Sequence, residues 1–176
     1  QVFASSGHET VLFDADPQMV SKAKKTHEET MARLAEKGKI SGEKAASTLS
    51  LIQYASSPGD FADCGLVIEA IVENLDIKQK LFNDLEKIVD QHCILGTNTS
   101  SLSVTSIASV CNHPHRVIGI HFFNPAPLMP LVEIIKGLAT HPSVEIKTKE
   151  IIDALGKSPV LARDRKSTRL NSSHLV

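Results

Sequence analysis

Short apolar runs alternate with helical patterns along most of the chain, and this alternation constrains the fold more than any other feature. The helical patterns cover about 17–37, a segment that starts at Ser41, about 76–91, 104–110 and a segment that ends at Gly156. The apolar, strand-like runs lie at residues 10–13, 51–54, 65–74, 93–97, 117–120, 131–135 and 158–162. Strands that alternate with helices form βαβ units around a mostly parallel sheet. The sequence therefore predicts an α/β fold.

Composition narrows the possible functions. The chain has 176 residues, of which 41% are hydrophobic, and a net charge of −1. This length suits one globular domain, and the near-neutral charge argues against nucleic acid as the main partner. The apolar runs are too short to cross a membrane. Three scattered cysteines without a CxxC pair indicate a reducing, cytosol-like compartment.

Both ends of the chain depart from the regular pattern. "QVFASSGHE" is typical of the last turns of a helix ended by Gly7. The closing "RKSTRLNSSHLV" is polar and basic and has no periodicity. We interpret residues 165–176 as translated sequencing-adaptor read-through, with a disordered natural tail as the alternative, and exclude them from functional reasoning.

Polar residues follow several of the predicted strands. In open α/β sheets, ligands bind at the carboxyl ends of the strands. We therefore expect the polar residues that come after the apolar runs to meet at one edge of the sheet, namely Asp14, Glu73, Asn98, Ser100 and His121.

Asp14 suits the ribose of a dinucleotide. An acid after the second strand of such a fold accepts hydrogen bonds from ribose hydroxyls and disfavours a 2′-phosphate, so NAD is preferred over NADP. The alternative is that Asp14 is an ordinary acid before a helix that starts at Pro17.

His121 and Glu133 are ionisable residues in apolar surroundings. A carboxylate bonded to one ring nitrogen makes the other nitrogen a better base, which can take a proton from an alcohol while hydride leaves the same carbon. The alternative is a structural ion pair. Ser100 and Asn124 are neutral donors that could hold a substrate oxygen. His113 and His115 lack further metal-ligand partners, so we predict no metal site.

"HFFNPAPLMPLVEII" (121–135) and "GTNTSSLSVTSIA" (96–108) resemble the NAD-binding domain of the 3-hydroxyacyl-CoA dehydrogenases, including the 3-hydroxybutyryl-CoA and phenylacetate-pathway bacterial members. "GHETVLFDADP", "LVIEAIVENLDIKQKLF" and "ALGKSPVLARD" extend the resemblance to residues 1–164. It implies a Rossmann-like, doubly wound sheet and the NAD-dependent oxidation of L-3-hydroxyacyl-CoA to 3-ketoacyl-CoA, a reaction of fatty acid β-oxidation.

The resemblance also implies a role for each matching residue. His121 is implied to be the general base and Glu133 its partner. Ser100 is implied to contact substrate and cofactor, and Asn124 to lie near the nicotinamide and the substrate carbonyl. The remaining roles are cofactor contacts for Asp14, Glu73, Lys78 and Asn98, and coenzyme A contacts for Thr30 and Lys37.

The chain departs from the family pattern at both ends. It has no first strand with a GxGxxG turn, and no segment like "PGFVVNR" or helical second domain follows Asp164. We interpret residues 1–164 as a truncated NAD-binding domain, with little activity by itself. The intact parent is expected to be a homodimer joined through the missing domain. Cytoplasmic localisation is expected, with mitochondrial or peroxisomal localisation left open.

Three other functions stay open at this point. The parent could be the dehydrogenase part of a multifunctional fatty-acid oxidation protein. It could be a non-enzymatic scaffold or pseudoenzyme, like the related lens crystallin. It could also use free 3-hydroxy acids, although Lys37 and the 121–135 segment favour thioesters.

Overall fold

A computed structural model describes residues 1–164 of the chain, and the interpretation of the tail lies outside these residues. The described residues form two compact units, Gln1–Phe61 and a second that begins at Ala62. Within the described residues, no helix combines the length and the hydropathy that a membrane-spanning segment needs.

The first unit contains one parallel pair of strands and three helices. Its elements, in chain order, are α1 (Val2–Ser5), β1 (Thr10–Leu12), α2 (Pro17–Glu36), α3 (Gly42–Ser50), β2 (Ile52–Tyr54) and a 3₁₀ turn (Pro58–Phe61). Strands β1 and β2 pair in parallel, with Thr10 opposite Ile52. This arrangement is the βαβ unit that the alternating pattern predicts.

The predicted helix ends of this unit are confirmed. Pro17 is the first residue of α2, and the side chain of Asp16 accepts a hydrogen bond from the backbone N–H of Gln18. Ser41 caps α3 by accepting from the N–H of Lys44. Gly7 follows α1 with a φ of 92°, a left-handed conformation that glycine adopts without strain.

The second unit is built on a five-stranded sheet. Its strands are β3 (Leu66–Glu69), β4 (Ile94–Thr97), β5 (Val117–Phe122), β6 (Leu131–Lys136) and β7 (Ser158–Arg163), hydrogen-bonded in that order. All neighbouring pairs are parallel except β5 and β6, which are antiparallel. Its helices are α4 (Leu75–Leu85), α5 (Val104–Ala108), the 3₁₀ turn Pro114–Arg116 and α6 (Pro142–Ala154). The predicted mostly parallel α/β sheet is confirmed.

The core of this unit lies on both faces of the central strands. Every residue of β4 is buried, as are the first four residues of β5. Helical side chains that pack here are also fully buried, namely Phe82, Ile107 and Ile152. A strand covered on both faces has no polar face, which explains why β4 and β5 have continuous apolar sequences.

Strand β3 is shorter than its apolar sequence suggests. We expected the strand to reach residue 74, but it ends at Glu69, and both Ile71 and Val72 are exposed. The carboxylate of Glu69 accepts the backbone N–H of Ile71 at 3.1 Å, so a side chain takes the place of a strand partner. Glu73 therefore lies in the loop before α4, rather than directly after a strand as predicted. The expectation of a missing first strand stays a prediction.

Candidate active site

His121 and Glu133 form a hydrogen-bonded pair across two neighbouring strands. They lie directly opposite each other in the antiparallel β5–β6 pairing. The Nδ1 atom of His121 lies 2.8 Å from Oε2 of Glu133, and the two side chains are 14% and 30% exposed. Because a carboxylate only accepts hydrogen bonds, Nδ1 carries the proton, and in the neutral ring Nε2 keeps its lone pair. The predicted pair is therefore in contact, with Nε2 as its basic atom.

The hydroxyl of Ser100 lies beside this basic nitrogen. Its Oγ is 3.0 Å from Nε2 of His121. Ser100 belongs to the turn that follows β4. His121 lies on the neighbouring strand β5, and Glu133 lies on β6, the strand beyond it. The order of the strands in the sheet thus brings together three side chains that are distant in the sequence.

Glu73 holds the turn that contains Ser100. Its Oε1 accepts the backbone N–H groups of Ser100 and Ser101, each at 3.0 Å, and the hydroxyls of Thr99 and Ser101. Burial by itself raises the pKa of Glu73, but the hydrogen bonds from Thr99 and Ser101 and the ammonium of Lys78 outweigh it and lower the pKa to about 2. Glu73 is therefore a carboxylate at neutral pH.

Asn98 joins the ends of two strands next to the pair. Its Oδ1 accepts the backbone N–H of Phe122 at 2.8 Å, which links the end of β4 to the end of β5. Asn124 follows β5 and is exposed. The structure thus brings Asn98 and Asn124 to the same edge as His121.

Two cavities meet at His121 and Ser100, which line both of them. One cavity is otherwise lined by Asn98, Phe122, Phe123, Asn124 and Ala126. The other contains Glu133 and the end of β7, including Arg163 and Asp164. Nε2, whose lone pair accepts the hydroxyl of Ser100 in this structure, therefore lies where a bound molecule can replace that contact.

The loop between β5 and β6 is fastened by a lysine from outside it. The ammonium of Lys157 donates to the backbone carbonyls of Ala126 at 2.7 Å, Met129 at 2.9 Å and Pro127 at 3.3 Å. Three carbonyls on one ammonium fix the path of this loop, which carries Asn124.

Lys78 lies beneath the surface. Its side chain is 1% exposed, and its ammonium contacts both carboxylate oxygens of Glu69, at 2.8 and 2.9 Å. It also lies 3.5 Å from Oε2 of Glu73 and donates to the carbonyl of Ile71. The predicted direct contact between Lys78 and the cofactor stays a prediction, and the observed contacts connect Lys78 to the cavity through Glu73.

Glu69 is a residue that the sequence analysis missed. Its side chain is 2% exposed, and it accepts hydrogen bonds from Lys78 and from the hydroxyl of Thr97, its partner across β3 and β4. The signal was present in the sequence, because Glu69 is an acid inside an apolar run, as Glu133 is.

Three of the predicted site residues, Asp14, Thr30 and Lys37, lie in the first unit. Asp14 is exposed, and its Oδ1 accepts the N–H of Asp16 at 2.9 Å. Thr30 is half-buried on α2, and Lys37 is the exposed C-cap of that helix. Thr30 and Lys37 are seven positions apart, so both lie on one side of the helix. Their roles, and the meeting of Asp14 with the other four strand-end residues, stay predictions.

The histidine-rich segment shows no metal geometry. The rings of His113 and His115 lie edge to face, 5.7 Å between centroids. Within residues 1–164, no three His, Cys, Asp or Glu side chains are grouped as a metal ion would need.

A comparison with protein families decides the relationship. The family model that describes the NAD binding domain of 3-hydroxyacyl-CoA dehydrogenase matches residues 1–165. The chain belongs to this family. The family that the sequence predicted is therefore confirmed, and so is the predicted cofactor, NAD.

Individual members of the family are similar over nearly the whole chain. The chain is 40% identical over 164 residues to the "Probable 3-hydroxybutyryl-CoA dehydrogenase" of Deinococcus radiodurans. It is 41% identical over 172 residues to the mitochondrial hydroxyacyl-coenzyme A dehydrogenase of Homo sapiens. Each match includes 93% of the chain, but 59% and 54% of the two relatives. The chain thus spans little more than half the length of these dehydrogenases.

A solved dehydrogenase has the same fold. The 3-hydroxybutyryl-CoA dehydrogenase of Escherichia coli superposes with a TM-score of 0.91 at 37% identity, over 93% of this chain and 34% of that chain. The Rossmann-like fold that we predicted is therefore confirmed.

The residues around the first cavity fit the nicotinamide end of NAD. The cavity lies at the carboxyl ends of β4 and β5, where this class of sheet binds ligands. It offers amides from Asn98 and Asn124, a hydroxyl from Ser100 and the aromatic face of Phe123. A flat ring that carries a carboxamide needs this mixture of polar and apolar groups.

Proposed function

We propose that the protein oxidises L-3-hydroxyacyl-CoA to 3-ketoacyl-CoA with NAD, and that this chain provides the NAD-binding part and the base. The observation that carries the proposal is the His121–Glu133 pair, whose Nε2 faces a cavity beside Ser100. The names of the similar dehydrogenases support the choice of substrate.

The side chains of this site would act on the substrate hydroxyl. Nε2 of His121 accepts the hydroxyl proton while the carbon–oxygen bond becomes a carbonyl. Glu133 lowers the energy of the imidazolium that forms, and it holds the ring so that Nε2 faces the cavity. When substrate binds, the hydroxyl of Ser100 would turn from Nε2 and donate its hydrogen bond to the substrate oxygen. Bound NAD would supply the acceptor for the hydride that leaves the same carbon.

The charged groups suggest where the cofactor and coenzyme A bind. We assign Asp14 to the adenosine ribose, which favours NAD over NADP. Glu73 and Asn98 hold the turn and strand end beside the nicotinamide, and Lys78 supports Glu73 from below. Thr30 and Lys37, on one side of α2, suit the phosphates of coenzyme A.

Assembly and location belong to the same proposal. A homodimer formed through a helical domain is expected from the family resemblance. A reducing compartment such as the cytoplasm suits the three free thiols of Cys64, Cys93 and Cys111. Light scattering and cell fractionation of the product of the complete open reading frame test both points.

Kinetics with the product of the complete open reading frame test the activity. NADH absorbance is followed with 3-hydroxybutyryl-CoA and NAD, and in reverse with acetoacetyl-CoA. His121→Gln should lower kcat by ~10²–10⁴-fold. The matched control is His115→Gln, because His115 is an exposed histidine of the same unit. This variant should keep the parent rate.

Three outcomes distinguish the other functions. Turnover of free 3-hydroxybutyrate as fast as its thioester would remove the coenzyme A assignment. Binding of NAD and acyl-CoA without turnover would indicate a scaffold. A rate for His121→Gln within a few-fold of the parent would show that His121 is not the base.

A further inference from the structure

We propose that Glu69, a buried carboxylate outside both cavities, is a positioning residue that sets the contact between Ser100 and His121. The inference rests on the proposed function only where it concerns turnover. The geometry behind it is a continuous series of contacts that runs from Glu69 through Lys78 and Glu73 to Ser100.

The first step of the series is a buried ion pair. The side chains of Glu69 and Lys78 are 2% and 1% exposed, and both oxygens of Glu69 contact the ammonium. The hydroxyl of Thr97 and the N–H of Ile71 donate to the same carboxylate. Such a pair contributes little to stability compared with apolar side chains of similar size, so stability alone does not explain a charged pair here.

The second step carries the position of Lys78 to Glu73. The ammonium has a third acceptor, the carbonyl of Ile71 at 3.3 Å, and lies 3.5 Å from Oε2 of Glu73. Because Lys78 is held by Glu69, its charge stays at one point below the loop. Glu73, whose side chain is 38% exposed, gains a fixed partner on its inner side.

The third step connects Glu73 to the base. One oxygen of Glu73 faces Lys78, and the other accepts the N–H groups of Ser100 and Ser101. These bonds fix the turn from which the hydroxyl of Ser100 reaches Nε2 of His121 at 3.0 Å. A small shift of Glu73 therefore moves Ser100 relative to the base.

Loss of the charge of Glu69 should redirect Lys78. With a neutral glutamine at 69, Glu73 becomes the only carboxylate within residues 1–164 that contacts the ammonium. The attraction between Glu73 and the ammonium of Lys78 then competes with the hydrogen bonds that Glu73 accepts from Ser100 and Ser101. Since misplacement of a catalytic group by 1 Å costs up to ~10²-fold in rate, even partial displacement of Ser100 is measurable.

The test compares Glu69→Gln with Glu86→Gln. Glu86 is also a buried acid, paired with Arg116 at 3.8 Å, and its other partners, Asn112 and His113, lie outside the cavities. Each variant is made in the product of the complete open reading frame and measured at a temperature where circular dichroism shows it folded. The two readouts are kcat and the ¹⁵N chemical shift of Nε2 of His121.

We expect Glu69→Gln to lower kcat about tenfold or more and to move the Nε2 signal of His121. Glu86→Gln should leave both at the parent values. Equal kcat losses in the two variants, or an unmoved Nε2 signal in Glu69→Gln, would overturn the positioning role.

Two further results keep the test decisive. If Glu69→Gln does not fold, the double variant Glu69→Gln with Lys78→Met removes both charges of the buried pair. If kcat and the Nε2 signal of the double variant equal those of the parent, the positioning role of Glu69 is overturned. If the parent does not turn over 3-hydroxyacyl-CoA, the proposed function fails, and the Nε2 signal alone decides on Glu69.

Discussion

His121 and Glu133 are direct partners in the antiparallel pairing of β5 and β6, and their side chains meet at 2.8 Å. The backbone hydrogen bonds between two neighbouring strands therefore set the geometry of the pair, rather than flexible loops. Side chains opposite each other in such a pairing are the closest neighbours that a sheet provides. A base mounted in this way needs little reorganisation before it accepts a proton.

Replacement of Glu133 by glutamine should remove the support of the base. The amide carries no charge to stabilise an imidazolium, and its NH₂ group can donate to Nδ1, which favours the wrong tautomer of His121. We expect kcat to fall by ~10²-fold or more. Glu150→Gln, at an exposed ion pair with Lys147 on α6, is the matched control and should keep the parent kcat. Equal rates in the two variants would assign the pair a structural role only.

Gly119 should not tolerate a side chain. A Cβ at this position of β5 would lie 2.9 Å from Cγ2 of Val104 and 3.0 Å from Cβ of Ile135. Because both neighbours belong to packed elements, we expect Gly119→Ala to lower the free energy of unfolding by about 1–3 kcal/mol. Gly65→Ala, where a Cβ meets nothing within 4 Å, is the control. Urea unfolding curves of the two variants give the difference, and similar midpoints would contradict the packing described for α5 and β6.

The parts of the structure that follow local rules could be predicted from the sequence. Most strands were found because their apolar runs are short and bounded by polar residues, and α2 and α3 because Pro17 and Ser41 mark their starts. The His121–Glu133 pair was found because an ionisable side chain in an apolar run needs a partner. The same rule applies to Glu69. However, the apolar run that contains Glu69 was predicted to be one strand up to residue 74, so Glu69 was not recognised as the last residue of β3.

Contacts between distant segments could not be read from spacing. Asp164 binds residues about 60 positions earlier, and Lys157 binds carbonyls about 30 positions earlier. Nothing in the local sequence of either residue indicates the partner, because the order of the strands creates the contact. The same holds for the bond from Asn98 to the backbone of Phe122.

Glu73 should make the protein sensitive to acid. Its pKa is about 2 in the folded chain, below the ordinary value of 4.5, because the bonds from Thr99 and Ser101 and the charge of Lys78 favour the carboxylate despite burial. An acid with a lowered pKa stabilises the fold above about pH 4.5, and this contribution is lost as the pH falls towards 2.

Comparison with Glu73→Gln isolates this contribution. The difference in free energy of unfolding between parent and variant should be largest above pH 4.5 and shrink as the pH falls towards 2. Urea unfolding followed by circular dichroism at several pH values measures it. A difference that stays constant across this range would show that the bonds of Glu73 do not depend on its charge.

Asp164 should anchor the start of α5 to the end of β7. Its carboxylate accepts the N–H of Val104 at 2.9 Å and of Thr105 at 3.0 Å, as well as the hydroxyl of Ser103 at 2.9 Å. Burial raises its pKa, but these bonds outweigh burial and leave the pKa below its usual value.

We expect Asp164→Ala to cost about 0.5–2 kcal/mol of stability, as for the loss of a helix cap. Asp153→Ala, which removes an exposed pair with Lys149 on α6, should change stability by less than about 0.5 kcal/mol. Thermal unfolding of both variants measures the difference, and hydrogen exchange at Val104 and Thr105 should quicken in Asp164→Ala alone. Unchanged exchange at these two amides would mean that α5 holds its first turn without Asp164.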